Sequence, residues 1–304
     1  MTISNFTDSD VTDQSGRVFF VTGANSGLGY AAAKLLAGRG ARVLLGYRSA
    51  EKAEAAMADI RAVYPEADLR FVPLDLADLK SVRAAAKIVA EEPRLDVLLN
   101  NAGIMMPARE ETVDGFESQF GVNHLGTFAL TGLLLDKLAA GQEPRVVITS
   151  SMAHRSGQID FEDINAEKSY SRWGRYAMSK LANLLHMYEL DRRLRAADSP
   201  IIAVGCHPGV ADTELARHFP AVMISLLRPV TGLFMNTAAQ GAWPTLAAAA
   251  GTGVESGQYF GPSRNAGWAG PAREVRPHSK AKQIEPAKRL WDVSEKMTGV
   301  IYPV

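Results

Sequence analysis

Val18-Phe19-Phe20-Val21-Thr22-Gly23-Ala24-Asn25-Ser26-Gly27-Leu28-Gly29 is an apolar run that ends in a glycine-rich turn and passes at once into a helical pattern, Leu28–Arg39. The run reads as a strand buried on both faces. Glycines in such a turn let backbone N–H groups approach a pyrophosphate, and the following helix N-terminus adds partial positive charge there. A glycine triplet alone equally describes a turn that caps a helix, so the strand before it and the helix after it carry the argument. Outward from this unit the same alternation repeats. Further strands are expected at Ala41–Gly46, Leu69–Leu74, Leu95–Asn100, Arg145–Ser150, Ile201–His207 and Gln258–Gly261, with helices at Ala50–Tyr64, Asp78–Glu92, Phe116–Ala140 and Trp173–Ala197. Alternating strands and crossover helices define an α/β fold, a doubly wound (Rossmann) parallel sheet of about seven strands with helices on both faces.

The 304 residues contain 33 Lys+Arg and 33 Asp+Glu, so no net field draws the chain to nucleic acid or anionic lipid. With 47% hydrophobic and 22% charged residues it has the composition of a globular protein. A single cysteine, Cys206, forms no intrachain disulfide and fits a reducing, cytoplasmic compartment. Residues 1–15 read as a polar, flexible N-terminal arm without a signal peptide. Residues 16–304 show no linker or repeat and read as one domain. The stretch from Phe219 to Val254 has one charged residue, Arg228, but Pro and Gly interrupt it, which argues against a transmembrane segment. It reads as an apolar lid over about 210–232, centred on Phe219–Leu227, and a buried helix from about Thr231; a helix packed wholly on the core is the alternative.

Gly23, Asn25, Ser26, Gly27, Leu28 and Gly29 are the candidate phosphate cradle. The end of the second strand, where a dinucleotide fold meets the adenosine ribose, carries Arg48 in place of an acid, which favours NADP(H) over NAD(H). Asp75, with Leu76 beside it, closes the third strand and either meets the adenine amino group or N-caps the next helix. Three further sites converge on the carboxyl ends of the strands: Asn100-Asn101-Ala102-Gly103, Ser150-Ser151, and Tyr176-Ala-Met-Ser-Lys180. Tyr176 and Lys180 share a helix face, and an ammonium beside a phenol favours the phenolate, which makes acid/base chemistry accessible near neutral pH. The six histidines show no metal-binding spacing, and no metal is expected. A hydrolase built on Ser151 and His154 lacks the Gly-x-Ser-x-Gly elbow.

Thr-Gly-x-x-x-Gly-x-Gly, Asn-Asn-Ala-Gly, a paired serine and Tyr-x-x-x-Lys, in this order, resemble the short-chain dehydrogenase/reductase family. Asn123-His124-Leu125-Gly126, the long interval from Ser151 to Tyr176, Ser179-Lys180-Leu181-Ala182-Asn183 and His207-Pro208-Gly209 resemble its retinol-dehydrogenase-like branch, and the likeness spans Gly16 to Thr213. The resemblance implies Asn123, Ser151, Tyr176 and Lys180 as the catalytic set. Tyr176 would exchange the proton, and Ser151, the second of its pair, would hydrogen-bond the substrate oxygen. Lys180 would hold the nicotinamide ribose, and Asn123 a water leading from Lys180 to solvent. It also implies cofactor contacts from Asn101, Ala102, Gly103, Pro208, Gly209 and Thr213.

The expected activity is hydride transfer between NADP(H) and a carbonyl or alcohol of a hydrophobic small molecule. The rival is a non-catalytic NADP-binding regulatory or scaffold protein of the same fold, against which the complete Ser, Tyr and Lys set argues. The apolar faces of Phe116–Ala140 and Trp173–Ala197 serve either a homo-oligomer contact, as in the family, or the core.

Overall fold

A computed structural model describes residues 3–210 and 236–304. Its centre is one eight-stranded sheet, in which β1 is Val18–Thr22, β2 Arg42–Tyr47, β3 Leu69–Pro73, β4 Val97–Asn100, β5 Arg145–Thr149, β6 Ile202–Cys206, β7 Tyr259–Arg264 and β8 Ala269–Glu274. The order is β3-β2-β1-β4-β5-β6-β7-β8, so the direction of winding reverses between β1 and β4. Pairing is parallel from β3 through β7. The expected seven strands are present. The eighth, β8, pairs antiparallel with β7 and was not read from sequence, because Ala-Gly-Pro-Ala-Arg-Glu has none of the β-branched or aromatic residues that mark strands.

Helices α1 (Gly27–Gly38), α2 (Ala50–Val63), α3 (Leu79–Ala90), α4 (Thr127–Ala139), α5 (Arg172–Ala196), α6 (Trp243–Ala250) and α7 (Ile284–Thr298) cover the sheet. β1, β4 and β5 are buried along their full lengths, which accounts for their near-continuous apolar sequences. The helix expected over Phe116–Ala140 is divided. A single turn at Ser118–Phe120 leads into a π-helical stretch, Gly121–Gly126, before α4 begins. A Cβ on Gly126 would lie 2.5 Å from the Leu76 carbonyl oxygen, so the wider turn is packed directly against the end of the β3 segment.

The faces of α4 and α5 are core. Trp291 of α7 meets Phe128 edge to face at 5.2 Å, and Tyr302 packs on both at 4.5 and 4.6 Å. Residues 3–15, expected within a flexible arm, meet the sheet edge at one isolated bridge, and eight of the thirteen are exposed. Phe6 exchanges backbone hydrogen bonds with Ala272 of β8, and Phe6 and Val11 are buried. The two apolar side chains and the open edge of β8 supply what the polar composition of the arm concealed. The lid stretch Phe219–Leu227 and the expected helix start at Thr231 fall outside the described residues; the described continuation is the turn Ala238–Gly241, of which only Gly241 is buried, followed by α6, buried from Pro244 to Ala250.

Candidate active site

The nucleotide end of the site is built where β1 and β4 diverge. Thr22 Oγ1 accepts from the backbone N–H groups of Asn101 and Ala102, both at 3.0 Å, and Asn101 Nδ2 donates back to the Thr22 carbonyl at 3.0 Å. These bonds lock the strand ends together beneath the glycine turn. Gly23 (φ 69°) and Gly27 (φ 57°) adopt the left-handed conformation that side chains disfavour. A Cβ on Gly29 would fall 2.4 Å from the Gly23 carbonyl oxygen, so a side chain there would break the turn apart. Ser26 N-caps α1 without a side-chain hydrogen bond, so the first amides of the helix have no capping acceptor from it. A pyrophosphate fits this cradle, with Asn25 half-buried and Ser26 exposed beside it.

Beyond the ends of β2 and β3, where the adenosine is expected, the Arg48 guanidinium is 76% exposed and lies 3.9 Å from the Asp75 carboxylate. Asp75 does not cap the helix after it. Its Oδ1 accepts from Ala77 N at 2.9 Å, while Asp78 caps α3 through Lys80 N. Leu76 is buried against Gly126.

The reacting end is a crevice of about 120 Å³ whose walls include Leu28, Asn101, Gly103, Tyr176, Lys180 and Pro208. Tyr176 and Lys180 stand one turn apart on α5, both buried, with Lys180 Nζ 5.7 Å from the centre of the phenol ring. Gly103 leaves room for Lys180 and Asn123, since a Cβ there would sit 3.0 Å from Asn123 Oδ1 and 3.2 Å from Lys180 Nζ. The π-helical stretch delivers Asn123 to this point, a use to which such turns are frequently put. Its carboxamide is fully engaged. Oδ1 accepts from Ile104 N at 2.7 Å, and Nδ2 donates to Ile104 O and to Ser179 Oγ, both at 2.9 Å.

The paired serines divide their work. Ser150 Oγ donates to the Lys180 carbonyl at 2.8 Å and ties β5 to α5. Ser151, half-buried, N-caps the short Met152–Arg155 turn through Ala153 N at 3.2 Å. Ser150 borders the 120 Å³ crevice and Ser151 opens the turn beside it. His154 was absent from the expected set and supports this turn. Its Nε2 accepts from His278 N at 3.1 Å, so Nδ1 carries the proton and donates to the Ser151 carbonyl at 2.5 Å. Met105 and Met106 pack on Tyr176 and Ala153, and the exposed Trp173 ring lies 6.1 Å from that of Tyr176. Their only signal in the sequence was nearness to the Asn-Asn-Ala-Gly and Tyr-x-x-x-Lys motifs.

After β6 the chain turns at Pro208-Gly209. Gly209 (φ 76°) is left-handed, and a Cβ on it would meet the Trp268 carbonyl oxygen at 2.3 Å. Asn236 joins the two sides of the interval that follows. Its N–H donates to Val210 O at 3.1 Å, and its Oδ1 accepts from Gly270 N at 3.0 Å. Thr213 falls outside the described residues.

This fold and site define a nicotinamide-dependent oxidoreductase, and comparison with known proteins gives the family. The short chain dehydrogenase family model matches residues 17–222. Human retinol dehydrogenase 12 is 42% identical over 288 residues, covering 94% of this chain and 87% of the relative. Human retinol dehydrogenase 13 is 42% identical over 296 residues, covering 95% and 86%. A crystal structure of an uncharacterised protein from Mycobacterium paratuberculosis superposes with a TM-score of 0.83 at 40% identity, covering 99% of this chain and all of that one. A Burkholderia cenocepacia short chain dehydrogenase in complex with NADP gives a TM-score of 0.62 at 27% identity, covering 80% and 95%. The chain belongs to the short-chain dehydrogenase/reductase family and is an oxidoreductase acting on CH–OH and C=O groups. Among the described residues no helix is long and apolar enough to cross a membrane.

Proposed function

We propose that this chain is an NADP(H)-dependent oxidoreductase that interconverts a carbonyl and an alcohol on a hydrophobic small molecule, with Tyr176 as the acid/base. The observation that carries the reading is the buried Tyr176–Lys180 pair, its ammonium 5.7 Å from the phenol ring and adjoining side-chain-free Gly103. When bound, the dinucleotide supplies or accepts the hydride. The cradle of Gly23, Gly27 and Gly29 would hold its pyrophosphate, with Asn25, Ser26 and Leu28 beside it and Asp75 and Leu76 near the adenine. Asn101, Ala102, Gly103, Pro208, Gly209 and Thr213 would border the remainder.

Tyr176 donates its phenolic proton to the substrate oxygen during reduction and recovers it during oxidation. The nearby Lys180 ammonium favours the phenolate and so keeps that exchange accessible near neutral pH. Ser151 rather than Ser150 hydrogen-bonds the substrate oxygen, because Ser150 directs its proton to the Lys180 carbonyl, whereas Ser151 Oγ accepts from Ala153 and retains its own proton to donate. Asn123 acts through position. Its carboxamide fastens the backbone at Ile104, so any water leading from Lys180 would be held by the backbone of the π-helical stretch.

Arg48, exposed at the ribose end, would pair with a 2′-phosphate and displace its loose contact with Asp75. The Burkholderia cenocepacia relative, solved with NADP, supports the same preference. Met105, Met106 and Trp173 next to Tyr176 support an apolar substrate body. The single thiol, Cys206, is buried and free, which supports a cytoplasmic setting.

Tyr176→Phe tests the assignment. Loss of one positioned proton donor lowers kcat by about 10²–10⁴-fold, while NADPH binding, read by fluorescence quenching, stays near wild type. Full turnover by Tyr176→Phe across a panel of aldehydes and ketones removes the tyrosine from the mechanism.

A further inference from the structure

A second cavity, of about 310 Å³, is bounded by the turn after Ser151, by the ends of β6 and β7, and by the exit of β8. Its floor is aromatic and uncharged. His154 meets Tyr259 edge to face at 5.9 Å, His207 meets Tyr259 at 5.4 Å, and burial keeps both imidazoles neutral. Its rim is cationic, with Arg155 from the Ser151 turn, Arg273 from β8 and Arg276 just beyond it. All three are exposed, and none is in an ion pair among the described residues.

The sheet explains how the charges gather. Arg273 pairs with Gly261 across the antiparallel β7–β8 ladder, so their side-chain positions share a face. A Cβ on Gly261 would collide with the His207 ring, 2.1 Å from Nε2. The imidazole therefore fills that position, and Arg273 stands beside it. Alternation sends the neighbouring Glu274 side chain toward the other face, where its Oε2 accepts from Gln258 Nε2 at 3.2 Å. The one carboxylate in the described lining, Glu274, accepts from a neutral amide and pairs with none of the three guanidinium groups, so the lining carries three positive charges against one negative. Such an arrangement raises the local concentration of anions, and guanidinium forks match the two oxygens of a carboxylate or phosphate.

We propose that this cavity is an anion subsite for a carboxylate or phosphate group, borne by the substrate at the end remote from its carbonyl. The assignment to substrate rests on the catalytic reading of Ser151 and Tyr176. His154 lines the cavity and also donates to the Ser151 carbonyl, and Met152 lies between the two. The subsite therefore begins within a few residues of the proposed oxyanion contact, and the apolar wall beside Tyr176 is left to hold the body of the molecule.

The test compares octanal with the aldehyde of equal chain length that ends in a carboxylate, alongside calorimetric titration of the NADP-saturated enzyme with inorganic phosphate. Expected is a kcat/KM at least tenfold higher for the acid-bearing aldehyde, expressed in KM and shrinking as salt is raised. Arg155→Gln/Arg273→Gln/Arg276→Gln abolishes the difference, the corresponding Lys variants restore part of it, and thermal melts verify folding. Phosphate binding that vanishes in the Gln variant, without any preference between aldehydes, supports the anion site and overturns its assignment to a substrate tail. Equal kcat/KM for both aldehydes together with no phosphate binding overturns the proposal while the oxidoreductase reading stands. Turnover of neither aldehyde counts against the catalytic reading, and the calorimetry still decides the site.

Discussion

A methyl group on Gly103 would press on Asn123 Oδ1 at 3.0 Å and on Lys180 Nζ at 3.2 Å, so this glycine fixes the separation of the groups around the reacting end. Gly103→Ala is expected to lower kcat tenfold or more with a small change in melting temperature, because an ammonium and a carboxamide are displaced rather than a core cavity opened. Wild-type turnover would show that Lys180 needs no such fixed place. At the other end, Arg48→Ala is expected to weaken NADPH by about tenfold, the low end for a charged hydrogen bond at an exposed site, and to leave NADH unchanged. Equal loss for both cofactors would mean that Arg48 does not read the 2′-phosphate. At this scale the sequence was informative where a juxtaposition is encoded by spacing, as in the glycine turn and Tyr176-x-x-x-Lys180. It was silent where a role depends on partners far along the chain. The grip of Asn123 on Ile104, and the bond between His154 and His278, cross gaps that no local pattern records.

Among the elements, the segment Phe116–Ala140 is the most informative departure. Its composition is helical throughout, yet the backbone widens at Gly121–Gly126 and narrows again in α4. The glycine at 126, against which Leu76 packs, marks the place only once the β3 segment is seen beside it. Gly126→Ala is expected to impair folding or shift Asn123, with activity lost in any folded protein. β8 was illegible for another reason, since it is held by pairing with β7 and Phe6 and not by its own propensities. α7 completes the core over α4 and α5. Trp291→Ala should cost about 3–5 kcal/mol, read as a lower denaturant midpoint; a loss below 1 kcal/mol would show that the helix is peripheral.

For the molecule as a whole, four neutral histidines among the described residues, His124, His154, His186 and His207, set the response to acid. His124 Nε2 bonds Ser294 Oγ at 2.8 Å, and because that hydroxyl donates to Leu290 O, the imidazole must be the donor. His186 likewise donates to Tyr302, whose hydroxyl donates to Phe128 O. Burial lowers the His124 and His207 pKa from 6.5 to about 3, and that of His186 falls in the same direction. The unfolded chain therefore binds protons that the folded chain refuses. Stability is full above pH 6.5 and declines as pH falls toward 3, by up to about 1.4 kcal/mol per pH unit for each histidine. Urea unfolding at pH 7 and pH 4.5 measures this, and identical midpoints would contradict neutral burial.

Because Asn236 hydrogen-bonds Val210, the chain returns to the sheet where it left it, and the 25 residues at 211–235 begin and end at one fastened point. Closure entropy changes by only about 0.6 kcal/mol for each doubling of such an interval. The staple thus sets the separation of the two flanking ends whatever the length of chain between them. Swapping residues 214–235, which leaves Thr213 in place, for the corresponding stretch of a relative should retune substrate choice while the nucleotide cleft keeps its affinity.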